Sequence, residues 1–390
     1  MCQASDALRQ AAASGPEPVA AIPPPRRSAI AAHGRRPPLR VDDRERLVVL
    51  GTSGGSPSKA TRSGYANAVI VGDDAYLIDC GEGVSTQALL AGISVNRRRT
   101  PAGGATVKAI CITHLHSDHI IDLANVVLSY WPDELIEIYG PGPAGVPIPT
   151  FPADREVELV YPDDPTPGVA SFIAHLFAGF AYNINVRMCD EGRINPLERL
   201  RVHEIGVRRA GYVPQIDLGV DGSGDSDESA APAMDPVVVH PCDDNGVTIS
   251  TILVQHAPVF PALAYRVDAP SGSVVFSGDT GPCDNVVRLA RGADILVHEV
   301  IDLEFVSRRV AHLPNHDALT THMAKAHTSP EEAGRIAAEA GVTTLVLSHL
   351  VPGDDEIPEA VWEERARRHF GGRVVCGVDL DEFSLAGALR

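Results

Sequence analysis

Basic side chains are scarce in this chain, and long apolar runs are missing from it. Lys and Arg total 33 against 51 Asp and Glu, which gives a formal net charge of −18. A surface that acidic repels phosphate backbones, so it disfavours a nucleic-acid substrate, although a local basic patch would escape this argument. No apolar run reaches the roughly 18 residues of a membrane-spanning helix, so no transmembrane segment is predicted.

Paired cysteines and a secretory signal are also lacking. The seven cysteines are scattered, odd in number and without CxxC spacing. They therefore disfavour disulfides and a Cys-type zinc site, and they suit a reducing cytoplasm. Residues 1–45 are rich in Ala, Pro and Arg but have no continuous apolar core, so they predict a disordered leader. A misplaced start or a transit peptide is the alternative.

The rest of the chain, residues 46–390, reads as one α/β domain. Apolar strand-like runs such as RLVVLG, AYLID, TVKAICI and SVVFSG alternate with helical stretches. One of these, SPEEAGRIAAEAG, has Ser329 at its N-cap, Pro330 in its first turn and Gly341 at its end. Residues 140–245 break the alternation with Pro/Gly loops, an apolar aromatic segment and an acidic loop, so we predict an insertion there.

The stretch THLHSDH, directly after the apolar run VKAICI, concentrates side chains that bind metals. On a tight turn His114 and His116 can share one metal, while Asp118 and His119 can reach a second. Imidazole and carboxylate together suit zinc or another borderline divalent ion. The alternative is a His-rich loop in which Ser117 or Asp118 caps the following helix.

Three later apolar runs end in one further polar residue each. His256 follows ILVQ, Asp279 follows VVFSG and His349 follows LVLS. A single His at a strand end is more often a hydrogen-bonded residue at the rim than a ligand. Taken together with the turn, however, these residues make a set of seven metal ligands.

This pattern resembles the metallo-β-lactamase superfamily over roughly residues 46–385. THLHSDH is similar to the family's H-x-H-x-D-H signature, and LIDCGEG, FSGDT and LVLSH are similar to its other strand-end motifs. The resemblance implies a four-layer αββα sandwich of the α/β class, with an inserted lid-like segment. It also implies two divalent metal ions at one edge of the facing sheets, zinc by preference, with manganese and iron as alternatives.

Carried over residue by residue, the resemblance implies three ligands for each metal and one bridge. The ligands of the first metal would be His114, His116 and His256. Those of the second would be Asp118, His119 and His349. Asp279 would bridge the two, and Asp79 would orient a metal-bound histidine from behind. The alternative for Asp79 is a simple turn residue.

A narrower resemblance, to the ribonuclease Z branch, rests on GDTGPCDNVVRLARGADILVHE and AHTSPEEAGRIAAEAG. It implies that His298 is a proton donor or oxyanion stabiliser oriented by Glu299, and that His327 lies near the scissile bond. The alternatives are a buried structural role for His298 and a surface position for His327. We expect the remaining histidines of this loop to be solvated rather than to line the pocket; they are His312, His316 and His322.

The chain departs from ribonuclease Z in the spacing of its motifs. Only 23 positions separate His256 from Asp279, which leaves no room for the tRNA-gripping arm of that branch. The extra length lies instead in the 137 positions between His119 and His256. The region from residue 130 to residue 182 holds nine of the chain's 19 Phe, Trp and Tyr residues. They predict either an apolar lid over the metals or a small satellite core. This arrangement is similar to the arylsulfatase-type members of the superfamily.

We therefore predict a metal-dependent hydrolase of a small-molecule ester, an aryl sulfate or a phosphodiester, that uses a metal-bridging hydroxide. The alternatives are ribonuclease Z, a lactonase and a non-catalytic metal-binding protein. A nucleic-acid or membrane partner is disfavoured, a homo-oligomer stays open, and the expected location is the cytoplasm.

Overall fold

A computed structural model describes residues 38–41, 43–145, 148–150, 155–208, 211–220, 231–313 and 315–386. Most of the predicted leader, residues 1–37, and the acidic loop at residues 221–230 lie outside this described part. The described strands form two sheets that face each other, with helices on both outer sides. The αββα sandwich predicted from the sequence is confirmed.

The first sheet has nine strands in the spatial order β16-β1-β2-β3-β5-β6-β7-β8, with β4 beside β5. Their bounds are β1 Glu45–Gly51, β2 Ala66–Val71, β3 Asp74–Ile78, β4 Ile93–Ser94, β5 Ala105–Cys111, β6 Ile136–Pro141, β7 Leu200–Gly206, β8 Ile216–Asp217 and β16 Asp381–Ser384. Strands β16 to β3 pair antiparallel, and β3 to β8 pair parallel.

The second sheet has seven strands in the order β15-β14-β13-β12-β11-β10-β9. Their bounds are β9 Val237–His240, β10 Thr248–Leu253, β11 Leu263–Ala269, β12 Gly272–Phe276, β13 Ile295–Ile301, β14 Thr344–Val351 and β15 Arg373–Cys376. Strands β12 to β15 run parallel, so their carboxyl ends meet at one edge of the sheet.

Ten α-helices appear in the described part of the chain. Their bounds are α1 Val84–Leu90, α2 Ser117–Ile120, α3 Leu123–Tyr130, α4 Val169–Gly179, α5 Ala181–Glu191, α6 Asp284–Ala290, α7 Leu303–Val310, α8 His316–Ala326, α9 Pro330–Ala340 and α10 Glu359–Arg367. No single described helix is long and apolar enough to cross a membrane. Helices α4 and α5 meet that criterion only as a pair, which is bent by 64°.

Three hydrophobic cores separate the four layers. Alternate residues of each strand point to opposite faces, so buried strands supply apolar side chains to two cores at once. In β13, for example, Val297 joins the core between the sheets and Leu296 joins the core under the helices. This two-sided burial is the reason that the strands read as continuous apolar runs in the sequence.

The described parts of the predicted insertion, residues 140–245, contribute strands to both sheets of the sandwich. They add β7 and β8 to the first sheet and β9 to the second. Helix α4 packs Ile173 and Phe177 into the core on the outer face of the first sheet, as the satellite-core alternative requires. Of the other described aromatics, Trp131 is buried in the same outer core, whereas Tyr182 is 86% exposed. Phe151 lies outside the described residues.

The predicted domain boundary at residue 45 lies inside folded structure. The Leu39 backbone N–H donates to the Asp381 carboxylate at 2.7 Å, and Arg40 pairs with Glu382 at 2.6 Å. Strand β1 already includes Glu45. Folded structure therefore begins at least as early as Leu39.

Candidate metal centre

The predicted site residues come together where strands of both sheets end. Asp79 follows β3, and His114 and His116 follow β5, in the first sheet. His256 and Asp279 follow β10 and β12 of the second sheet. Residues that are far apart in the chain meet here because these strand ends lie at the same edge of the sandwich.

The THLHSDH turn is tied to the end of β3 by backbone hydrogen bonds. Cys80 N–H donates to the His119 carbonyl at 2.6 Å, and Asp122 N–H donates to the Cys80 carbonyl at 3.0 Å. The His119 carbonyl therefore accepts a hydrogen bond from the segment after β3 and not from the next turn of a helix. Helix α2 accordingly ends at Ile120. The helical segment after the motif is consequently divided into α2 and α3.

His349 reaches the site through a bulge. Glu299 and Val300 of β13 pair with Ser348 and Leu350 of β14, so His349 is the extra residue between two pairs. Its φ of 47° is unusual for a residue with a side chain. Bulges re-aim side chains near active sites, and this one turns His349 toward the cluster.

The seven predicted ligands form two groups of donor atoms, in each of which one atom per residue lies within 4.8 Å of the others. The first group consists of His114, His116, His256 and Asp279. The second consists of Asp118, His119 and His349.

Asp279 stands between the two groups and is only 2% exposed. Its Oδ1 lies 3.3 Å from His119 Nε2 and 3.2 Å from His349 Nε2. Its Oδ2 lies 3.9 Å from His114 Nε2 and 3.8 Å from His256 Nε2. One carboxylate oxygen therefore faces each group, which is the arrangement that a bridging ligand needs.

The donor set fits two divalent cations. His119 Nε2 and Asp279 Oδ1 are buried and have no hydrogen-bond partner among the described residues. Buried polar atoms rarely remain unpaired, and a metal ion would satisfy both. Imidazole nitrogen and carboxylate oxygen suit zinc, manganese and iron alike, so the preference for zinc stays a prediction.

Electrostatics favour the metal-binding protonation state of three of these groups, whereas the pKa of His119 is raised well above its usual range because Asp279 and Asp79 outweigh its burial. Burial lowers the pKa of His256 to about 3 and that of His114 well below its usual range, so both rings are neutral. Burial alone would raise the pKa of Asp279, but His349 and His119 hold it well below its ordinary value. Neutral imidazoles and an ionised carboxylate are the forms that coordinate a cation.

Asp79 contacts the site from behind, as predicted. It is fully buried, accepts hydrogen bonds from Thr113 N and Thr113 Oγ1 at 2.7 Å each, and lies 2.8 Å from His119 Nδ1. An Nδ1–H held by a carboxylate leaves His119 Nε2 as the lone-pair nitrogen facing Asp279. This contact fits an orienting role for Asp79.

Glu299 and His327 form a pair next to the second group of ligands. His327 Nδ1 lies 3.0 and 3.1 Å from the two oxygens of Glu299, and a donor atom of His327 clusters with Asp279 and His349. Burial opposes a charge on His327, but the Glu299 carboxylate raises its pKa to about 9. Thr280 N–H also donates to Glu299 at 2.8 Å, which favours the ionised carboxylate and leaves the proton on the imidazole.

His298 does not join this cluster, which corrects the prediction that it donates the proton. On β13 it shares a face with Leu296 and Val300, whose side chains lie in the core under the helices. Its Nδ1 donates to the Glu299 carbonyl at 2.8 Å, and burial lowers its pKa to about 4. The alternation of β13 therefore sends His298 away from the metals and Glu299 toward them.

The Gly/Ser loop GTSGG, residues 51–55, forms a wall on one side of the site. Gly55 N–H donates to Asp118 Oδ2 at 2.8 Å. A Cβ on Gly54 would lie 2.3 Å from His349 Nδ1, so only glycine fits there. Tyr65 places its ring 5.2 Å from that of His119 and 5.6 Å from that of His349. The run GTSGG was the available signal, but nothing local indicated what it packs against.

Comparison with known proteins agrees with this geometry. The family profile "Metallo-beta-lactamase superfamily" matches residues 61–173, and the profile "Beta-lactamase superfamily domain" matches residues 225–350. The chain is 30% identical to Ribonuclease Z of Mycobacterium bovis (strain BCG / Pasteur 1173P2) over 86% of its own length and 96% of that relative. The chain belongs to the metallo-β-lactamase superfamily. It is a metal-dependent hydrolase.

Further relatives of this metallo-β-lactamase superfamily hydrolase point the same way. Ribonuclease Z of Mycolicibacterium paratuberculosis is 33% identical, with 86% of this chain and 96% of that one covered. Among solved structures, human tRNase Z, short form, superposes with a TM-score of 0.51 at 21% identity, covering 87% of this chain and 99% of that one. The YhfI protein of Bacillus subtilis gives a TM-score of 0.50 at 18% identity, covering 88% and 100%. These two structures support the fold alone.

Proposed function

We propose that this hydrolase is an endoribonuclease of the ribonuclease Z type, which cleaves a phosphodiester bond in RNA. The observation that carries the proposal is the Glu299–His327 pair beside Asp279 and His349. A ribose oxygen leaves as a poor, strongly basic group and needs a proton donor, whereas an aryl oxygen leaves without one. Relatives named Ribonuclease Z, aligned over 96% of their length, support the same activity.

Different residues of the chain would bind the metals, orient their ligands and donate a proton in such a reaction. Two divalent ions held by the seven ligands would acidify a water molecule and neutralise charge on the phosphate. Asp79 holds His119 in place, and Asp279 sets the separation of the two groups. His327, kept protonated by Glu299, donates its proton to the departing ribose oxygen.

This proposal replaces the small-ester and aryl-sulfate prediction. The relatives carry the name Ribonuclease Z, and none of those named above supports an arylsulfatase. The net charge of −18 describes the whole chain, and substrate binding depends on the local field at the site. The expectation that a nucleic-acid substrate is disfavoured was therefore wrong, because it used the net charge of the whole chain instead of the charge near the site.

A comparison of substrates tests the proposal. Wild-type protein loaded with zinc or manganese is incubated with a precursor tRNA that carries a 3′ extension, with bis(4-nitrophenyl) phosphate and with 4-nitrophenyl sulfate. We expect cleavage of the RNA and slow hydrolysis of the phosphodiester, both abolished in Asp279→Ala. An Asp268→Ala variant changes a surface carboxylate that pairs with Arg266 and serves as the control. Intact RNA alongside rapid sulfate hydrolysis would refute the proposal.

A further inference from the structure

A cavity of about 860 Å³ opens beside the metal centre, between helix α8 and the loop that follows β10. Gln255 and Ala257, the chain neighbours of His256, line one wall. Lys325, two residues before His327, lines another. His256 Nδ1 lies 2.9 Å from the Ala326 carbonyl, which joins the two walls at the metal site. We call this cavity the α8 pocket; it is lined by residues of α8 and its N-cap Asn315, by the 255–258 loop, and by Pro149 and Thr150.

The lining of the α8 pocket combines apolar surface with neutral hydrogen-bonding groups. Ala257, Pro258 and Leu319 provide the apolar part. Gln255 and Asn315 contribute amide groups. A mostly apolar cavity with a few convergent polar groups is typical of a site for a small organic group. Amide groups can donate to and accept from the edge of a nucleobase.

The charge around the pocket suits a phosphate. Lys325 is exposed and pairs with no acidic side chain in the described part of the chain, and His322 lines the same helix face. Asp317 also lines the pocket, but its side chain is 96% exposed and lies 3.0 Å from His316. Lys325 is therefore the cationic group that the pocket lining offers to a phosphate.

We propose that the α8 pocket binds one unpaired nucleotide of the RNA, next to the phosphodiester that is cleaved. The base lies against Leu319 and Pro258, with the Gln255 and Asn315 amides at its edge. Lys325 contacts the phosphate on the far side of that nucleotide. A paired base could not enter, so the pocket selects a single-stranded segment at the cleavage position. This assignment rests on the proposed ribonuclease function and adds the substrate feature that the pocket recognises.

Blocking the pocket tests its role without touching the metal ligands. Thr321 lines the pocket from an exposed position on α8, whereas Ala324 is exposed on the same helix but does not line it. We expect Thr321→Trp to lower kcat/KM for the RNA about tenfold, mainly through KM, because a stacked or pocketed base contributes substantially to binding. Hydrolysis of bis(4-nitrophenyl) phosphate, which has no flanking nucleotide, should stay within about twofold. Ala324→Trp should leave both substrates unchanged.

Two further measurements identify the ligand. RNAs with an abasic ribose at successive positions should show one position where wild-type cleavage falls and Thr321→Trp cleavage does not. Lys325→Gln should reduce the slope of log KM against log salt concentration by about one, because one phosphate contact is lost. Arg308→Gln, a charge change on α7 outside the pocket, should keep the wild-type slope.

The outcomes separate this inference from the proposed function. If wild-type protein leaves every RNA intact, the ribonuclease function itself fails. If wild-type protein cleaves RNA and Thr321→Trp cleaves it equally well, only the pocket assignment is refuted. An equal loss on the RNA and on the small phosphodiester would also refute it, because the effect would then come from the metal centre.

Discussion

At the scale of single residues, the side chains of the neighbours His298 and Glu299 on β13 point to opposite faces of the sheet. Glu299 faces the metals and holds His327, whereas His298 faces the core under the helices. The residue pair His-Glu therefore supplies only its second member to the site. The proton donor that we propose, His327, lies in the loop between α8 and α9, where the buried Glu299 carboxylate contacts it and outweighs burial in raising its pKa to about 9.

Exchanging the two histidines for glutamine separates their roles. We expect His327→Gln to lower kcat for RNA cleavage by about 10²- to 10⁴-fold, the usual contribution of a general acid. The loss should be much smaller with bis(4-nitrophenyl) phosphate, whose nitrophenolate leaves without a proton. His298→Gln should lower the melting temperature and leave kcat for RNA nearly unchanged. A large loss of kcat in the stable fraction of His298→Gln would restore the original assignment.

At the scale of elements, the Gly/Ser loop after β1 is as important to the site as the ligand turn. Gly55 N–H fixes one oxygen of Asp118, and the absence of a side chain at Gly54 lets the loop lie against His349. The loop is held from the other side by Asp379, which accepts from Thr52 N at 3.1 Å and Ser63 N at 2.6 Å. The second group of ligands thus depends on packing between elements.

Adding one methyl group to this wall should disturb the second group of ligands. In Gly54→Ala the new Cβ would overlap the His349 ring, so the loop or the ring must move. We expect metal content to fall from two ions toward one per chain, and RNA cleavage to fall at least about tenfold, since misplaced ligands cost metal affinity. Gly179→Ala, where nothing lies within 4 Å of the added Cβ, is the control. Full metal content in Gly54→Ala would show that the wall is not needed.

At the scale of the whole molecule, the site joins the two sheets. The ligand turn and Asp79 extend from the first sheet, whereas His256, Asp279 and His349 belong to the second. Without cations, only neighbouring histidines offset the charge of the ionised Asp118 and Asp279 in this mostly buried site. Bound ions would therefore stabilise the contact between the sheets as well as perform chemistry.

Removing the metals should destabilise the entire sandwich. A ligand that binds only the folded state at 1,000 times its Kd adds about 4 kcal/mol to the free energy of unfolding. We expect chelator-treated protein to melt several degrees lower than protein reconstituted with two equivalents of zinc, in one cooperative transition. Asp279→Ala should show a smaller zinc-dependent rise in melting temperature, because each group loses the Asp279 oxygen that faces it. An unchanged melting temperature in the wild type after verified metal removal would contradict this coupling.

Much of the fold and of the ligand set could be predicted because it depends on local patterns. Helix α9 carries its own signals: the Ser329 hydroxyl accepts from Glu332 N–H at 3.2 Å, and Gly341 ends the helix with φ 72°. The THLHSDH turn concentrates its donors within six positions. Each later donor follows a buried strand, and strand ends of a sandwich converge. Sequence alone therefore determined the fold class, the metal chemistry and the identity of the seven candidate ligands.

Only the tertiary structure decided the features that depend on which face a residue presents and what lies opposite it. The alternation of β13 excluded His298, the bulge at His349 completed the second group of ligands, and the described part of the 140–245 segment added strands to both sheets. The α8 pocket likewise arises where α8, the 255–258 loop and residues 149–150, which are distant in the chain, come together. The burial of a side chain and the group it faces depend on two segments that pack together. A sequence pattern describes only one segment at a time, so it does not indicate these contacts.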